Sequence, residues 1–333
     1  DLAAMVGAFH LRDRHAARLD ALRKQLAKDG LDGFVIPISD EHMSEYVGAY
    51  AQRLEWLTGF GGSAGTAVVL ANEAAIFVDG RYTLQVRDQV DGKLWSYESV
   101  PQTSIAAWLG AHAPEGARIG YDAWLHANGW ADGVADALKP RNAALVPVAS
   151  NPVDAVWQDR PAPSLEPAVP HADEHAGKPA HEKRAEVAEW LTTKGLDAAV
   201  VTALDSVAWL LNIRGSDVDR TPVALSFVIA HADGTADLFI APEKVTAELT
   251  AHLGNAVRVQ SRDAFVPALE ALNGRKVAVD PERAVAAIFH ALERAGAKVV
   301  ALTDPVVLPK AIKNPVEQAS HRERAGGEAG GGV

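Results

Sequence analysis

The side chains able to do chemistry fall in four stretches of the 333-residue sequence. His171 and His175 stand four apart, with Asp173 and Glu174 between them and His181 beyond. Two imidazoles one helical turn apart could share a helix face and bind zinc. Here Pro170, Gly177 and Pro179 frame the pair, so no long helix is available to hold ligands, and no metal is assigned there. The second stretch, Gly59-Phe60-Gly61-Gly62-Ser63-Ala64-Gly65-Thr66, fits neither the dinucleotide fingerprint nor the phosphate-binding loop, which needs a Lys after its last Gly. It reads as a tight turn. In the third, Asp79-Gly80-Arg81-Tyr82, an Arg follows a β-rich run beside a Gly that lets backbone approach. Such a guanidinium can fork onto a carboxylate or a peptide carbonyl oxygen; a surface ion pair is the alternative. The fourth, Ser39-Asp40-Glu41-His42, is polar throughout, and a solvated loop is its simpler reading. No Gly-x-Ser-x-Gly elbow supports acyl transfer. The other histidines, His10, His15, His42, His112, His126, His231, His252, His290 and His321, are scattered and read as ordinary surface or core side chains.

Composition narrows the classes further. Apolar residues make up 48% and charged residues 23%, as in an ordinary globular protein, and about 150 residues per domain predicts two domains. A net charge of −11 opposes nucleic acid and anionic membrane as general partners. The absence of cysteine excludes disulfides, iron–sulfur clusters and thiol catalysis and suits a cytoplasmic location. No apolar run is long enough to cross a bilayer, and no signal peptide is visible at Asp1–Leu11.

The elements that must position these residues form two copies of one plan. A helix is expected over 15–28, with Leu19, Leu22 and Leu26 on one stripe and Gly30 at its C-cap. Leu31–Pro37 reads as a buried strand, and Thr66–Leu70 with Ala74–Val78 as a hairpin. Helices end near Val90 and span 104–113 and 129–138, and strands are expected at 118–122 and 144–148. The second half opens with a helix over 183–194, and Gly195-Leu196-Asp197 then echoes Gly30-Leu31-Asp32. Trp56-Leu57 and Gly62-Ser63 return as Trp209-Leu210 and Gly215-Ser216, and Arg118–Asp122 as Lys276–Asp280. The shift in offset places about 12 extra residues in the first copy, between Pro37 and Glu55. Arg81 matches Glu243, so the copies differ there as well. Helices alternating with short strands predict an α/β fold, each domain a mixed sheet flanked by helices.

Five prolines (161, 163, 167, 170 and 179) make 159–180 a linker. The domains are expected at 12–158 and 181–312. Residues 313–333 start a further helix at Asn314-Pro315 and run into a Gly-rich tail expected to be disordered.

Ser39-Asp40-Glu41-His42-Met43-Ser44-Glu45-Tyr46, the Gly59–Thr66 stretch and Asp79-Gly80-Arg81-Tyr82 together resemble the first domain of three-domain aminopeptidase P, the Xaa-Pro aminopeptidases of the creatinase–prolidase metallopeptidase group. Val201–Leu210, Asn212–Val218 and Pro222-Val223 resemble its second domain, and Lys310–Glu317 the entry into the third. The resemblance covers about residues 12–321. It implies two tandem creatinase/prolidase N-terminal-like domains that precede a catalytic pita-bread domain. That domain holds two divalent metals, typically manganese, and releases the N-terminal residue of peptides with proline second. The chain departs from the family pattern at Arg324–Val333, and the metal ligand set has no place within it. The resemblance thus implies a non-catalytic two-domain portion, inactive alone, with no catalytic residue and no metal or cofactor of its own. Arg81 is the one functional residue carried over, as a contact to substrate peptide; Asp40, Glu41, His42 and Asp217 mark the family only. Proline-containing peptides are then partners only in a full-length enzyme, and a homodimer is one expectation for assembly. A stand-alone, non-enzymatic peptide-binding or assembly module is the alternative.

Overall fold

In each half, a short Gly-Leu-Asp segment turns a helix into the central strand. A computed structural model describes residues 2–329. Helix Leu2–Lys28 ends at Gly30 (φ +71°), where the Leu31 N–H donates to Leu26 O; Gly195 (φ +67°) ends helix Ala180–Thr193 with the same bond, Leu196 N–H to Leu191 O. The left-handed backbone there favours glycine and closes the open carbonyls of the last turn. Asp32 then exchanges two bonds with Arg118, its N–H to Arg118 O and its carboxylate accepting Arg118 N–H. Asp197 does the same with Lys276.

The chain divides into two units, 1–163 and 164–333. The first holds β1 (Gly33–Pro37), β2 (Thr66–Leu70), β3 (Ala74–Val78), β4 (Ser96–Ser99), β5 (Arg118–Tyr121) and β6 (Ala144–Pro147). The second holds β7 (Val169–Pro170), β8 (Ala198–Val201), β9 (Ile213–Arg214), β10 (Ser226–His231), β11 (Ala236–Ile240), β12 (Val257–Gln260), β13 (Lys276–Val279) and β14 (Lys298–Ala301). The first sheet runs β4-β3-β2-β1-β5-β6 and the second β12-β11-β10-β8-β13-β14. In both, the second and third strands of the order are antiparallel, as are the third and fourth, and the outer pairs are parallel. The register repeats too: Gly33 faces Ile119 as Ala198 faces Val277, and Ala75 faces Ser96 as Asp237 faces Arg258. The two copies expected from the sequence are therefore one mixed α/β topology built twice.

Alternation along the strands feeds two cores in the first unit. Phe34, Ile36, Val69 and Ile76 pack with Leu19, Leu22 and Leu26, whereas Val35, Val68 and Phe77 pack with Trp108, Leu109 and Leu138. In the second unit Val201, Val228, Leu238 and Ile240 meet Val187, Leu191 and Leu249.

Three expectations differ from the structure. The first helix extends back to Leu2, well ahead of the stripe Leu19, Leu22 and Leu26 on which its expected start rests. The proline-rich stretch 159–180 is built into the second unit from Ser164 onward: Ala168 N–H donates to Lys244 O, and β7 pairs antiparallel with β9. The last helix, Pro315–Ala329, passes through Gly326 and Gly327, and Gly330–Val333 lie outside the described residues. Its start follows expectation, with Asn314 Oδ1 accepting the Glu317 N–H and Glu317 Oε1 accepting the Asn314 N–H. Among the described residues no helix is long and apolar enough to cross a membrane.

Candidate functional site

Arg81 sits on the short turn Gly80–Tyr82 that follows β3. Asp79 caps the turn by accepting the Arg81 N–H, and the same carboxylate takes the guanidinium bidentately, Nε at 3.0 Å and Nη2 at 2.8 Å. The fork holds the Asp79 carboxyl below its ordinary range and raises the Arg81 guanidinium above its own. Even so, the Arg81 side chain is 62% exposed, and its only ion-pair partner among the described residues belongs to its own turn. A pair so exposed is screened and exchangeable.

Tyr82 joins this turn to the Gly-rich stretch. Its hydroxyl accepts the Ser63 N–H at 3.1 Å and lies 2.5 Å from Ser63 Oγ, bonds that lower the phenol's pKa. Its ring meets Phe60 edge-on at 5.5 Å. A Cβ at Gly62 would overlap the Phe60 ring and lie 2.9 Å from that of Tyr82, so the close approach needs glycine. The tight turn expected at Gly59–Thr66 thus braces the residue next to Arg81.

The insertion is not a solvated loop. Asp40 and His42 are buried, because Asp40 Oδ1 accepts the N–H groups of both His42 and Ser44 and folds the segment back on itself. This places Ser39, Met43 and Ser44 along a cleft of about 410 Å³ at the C-terminal ends of β1 and β3, with Asp79 on its lining. His126 also lines the cleft and was not singled out by its sequence context. Burial pushes its imidazole down to about 3, so it is neutral. The ring stacks on Trp130 at 3.9 Å, and its Nε2 has no hydrogen-bond partner among the described residues. The signal available in sequence was the His126…Trp130 spacing, one helical turn.

The histidine pair lies in the second unit, where helix Asp173–Ala176 is a single turn. The His171 and His175 rings are 6.0 Å apart and tilted, and burial together with Arg214 pushes His171 down to about 4. Among the described residues no three or more His, Asp or Glu side chains gather as a metal-holding group. The described residues thus offer no ligand set for a two-metal centre.

Comparison with known proteins matches residues 18–156 to a creatinase/prolidase N-terminal domain profile and residues 159–317 to a second profile of the same description. A probable Xaa-Pro aminopeptidase P of Aspergillus clavatus is 35% identical over 319 residues, covering 92% of this chain and 48% of that protein. Aminopeptidase P1 of Arabidopsis thaliana is 32% identical, covering 90% and 50%. Among solved structures, an X-prolyl aminopeptidase of Caenorhabditis elegans, described as a cytosolic enzyme with a di-nuclear active site, superposes with a TM-score of 0.86 at 29% identity, over 93% of this chain and 53% of that one. The chain spans about half the length of the relatives it matches.

Proposed function

From a chain that belongs, twice over, to the creatinase/prolidase N-terminal domain family, we propose the following reading: these are the two non-catalytic N-terminal domains of an Xaa-Pro aminopeptidase, and Arg81 offers its guanidinium to the substrate peptide. The observation that carries it is the Arg81 side chain, 62% exposed and held only within its own turn among the described residues, by the Asp79 carboxylate and the Tyr82 ring 5.1 Å away. A guanidinium in that state can trade its carboxylate for a peptide oxygen at little cost. Hydrolysis belongs to the longer enzyme, whose metals, expected to be manganese, have no ligand cluster among this chain's described residues. The cytosolic relative supports a cytoplasmic location, and the charge of −11 supports peptides rather than nucleic acid as partners.

The test is an Xaa-Pro peptide assay of the purified chain with added manganese, in parallel with a full-length relative. No release of the N-terminal residue is expected from this chain. In the relative, Arg→Ala at the position matching Arg81 is expected to lower kcat/KM at least tenfold with its melting temperature kept. Turnover by this chain, or an unchanged kcat/KM in the relative, overturns the reading.

A further inference from the structure

The two copies depart from one another at several places, and three of these meet in the first copy at one cleft. The insertion contributes Ser39, Met43 and Ser44 to its wall, the turn after β3 contributes Asp79, and the start of helix Asn128–Leu138 contributes His126 and Trp130. At the corresponding places the second copy has no insertion, has Ala241 for Asp79, and has Ala284 and Ile288 for His126 and Trp130. In open α/β sheets, ligands bind beyond the carboxyl ends of parallel strands, which is where this cleft lies. Its volume of about 410 Å³ suits a small ligand or a large side chain, and its walls are mainly apolar, with Ile38, Phe77, Val100, Ile105 and Trp130 among them.

We infer that this cleft binds the bulky apolar side chain of a short peptide, whose backbone oxygens are held at the rim by Arg81 and by the N-terminus of helix Asn128–Leu138. Three polar features select a peptide. Ala127, the N-cap of that helix, lines the cleft and offers no side-chain cap, so the first N–H groups of the helix are open to an acceptor. The Arg81 fork onto Asp79 uses only Nε and Nη2, so the remaining N–H groups can meet a peptide oxygen while the Asp79 charge stays balanced and the rim does not repel a carboxylate. The unpartnered His126 Nε2 needs a donor or an acceptor according to its tautomer, and a peptide group carries both.

The inference rests on Arg81 as a peptide contact, and the experiment separates the two. The chain is titrated with Ala-Pro-Leu and with Ala-Pro-Ala, and binding is followed through the indole resonance of Trp130. Ala-Pro-Leu is expected to bind at least about tenfold more tightly, the discrimination an apolar pocket gives for several methylene groups, and to shift that resonance. Ser44→Trp, which fills the cleft from its wall, should abolish the preference. His126→Phe, which keeps the ring on Trp130 and removes Nε2, should weaken Ala-Pro-Leu severalfold; either variant suffices if the other fails to fold. Arg81→Ala should weaken both peptides alike and leave their ratio unchanged. Equal affinities, a leucine preference that survives Ser44→Trp, or no saturable binding of either peptide overturns the cleft. A leucine preference with both affinities unchanged in Arg81→Ala keeps the cleft and overturns the role of Arg81.

Discussion

The turn after β3 and the turn after β11 occupy one place in one topology and do opposite things with a long basic side chain. In the first unit, Gly80–Tyr82 sends Arg81 into solvent. In the second, Pro242–Lys244 sends Lys244 inward, where it is 1% exposed. Its ammonium lies 2.5 Å from Asp217 Oδ1 and donates to the carbonyls of Ser164 at 2.6 Å and Glu166 at 3.4 Å. Glu243, the counterpart of Arg81, faces solvent. A buried ammonium must keep all its partners, since removing any one leaves charge uncompensated in a low-dielectric interior. An exposed fork is under no such constraint. One turn has therefore become a staple that holds the start of its own unit, whereas the other leaves its cation exchangeable.

The comparison breaks most readily at the staple. Lys244→Ala should cost about 3–5 kcal/mol, because Asp217 is then buried without its counter-charge. Chemical denaturation of the chain measures this, and a loss below about 1 kcal/mol would show that solvent reaches the pair and that the turns are alike.

A smaller effect separates the helix starts that follow β5 and β13. His126 is neutral with a folded pKa of about 3 and an ordinary value near 6.5 when unfolded. Between those values the unfolded chain binds more protons, so stability is intact above about pH 6.5 and falls as the pH drops toward 3. The contribution is at most about 1.4 kcal/mol per pH unit. His126→Phe should remove the His126 share of this slope and leave that of His171, which burial also pushes down; Ala284, the counterpart of His126, adds nothing at the matching place. Urea midpoints from pH 7 to pH 4 check it; identical slopes for parent and variant would place the imidazole in contact with solvent.

What could be read from the sequence was local and repeated. The β2–β3 hairpin falls on the residues expected, because two β-rich apolar runs are separated by Ala71-Asn72-Glu73. Gly30 and Gly195 announce their helix ends through a backbone conformation that few other residues adopt. What escaped depends on contacts between distant segments. A polar run such as Ser39–His42 looks solvated until Asp40 is seen to satisfy the neighbouring amides, which lets the segment be buried. Prolines confine the helix within 159–180 to the single turn Asp173–Ala176, yet an extended edge remains open to them, and β7 uses it. His126 stands between Leu125 and Ala127, marked only by its spacing to Trp130; the fold alone brings Ser39 and Asp79 to the same cleft.

Within the first unit, the brace and the exposed cation should separate on mutation. Tyr82→Phe removes the hydroxyl that accepts the Ser63 N–H and faces Ser63 Oγ, so about 1 kcal/mol of stability should be lost, while the Phe60 edge contact is kept. A thermal melt reads the loss, and amide exchange at Ser63 locates it. A variant as stable as the parent would mean that the Gly-rich stretch holds its shape without the phenol.

The smallest effect is expected at Arg81 itself. Arg81→Ala removes a side chain that is 62% exposed and whose fork is confined to Asp79 of the same turn among the described residues. The Asp79 cap on the Arg81 N–H survives the change, because it uses backbone that alanine also supplies. The melting temperature should therefore move by no more than about 2 °C. Peptide affinity should fall instead, since the charge-assisted bonds offered to a ligand oxygen are gone while the fold is not. Arg81→Lys sharpens the point: lysine keeps the charge and loses the planar fork, so it should restore stability fully and peptide affinity only in part. A melting shift comparable to that of Lys244→Ala would instead put Arg81 in the same structural role as its buried neighbour in the second unit, and the difference between the turns would be one of exposure without consequence.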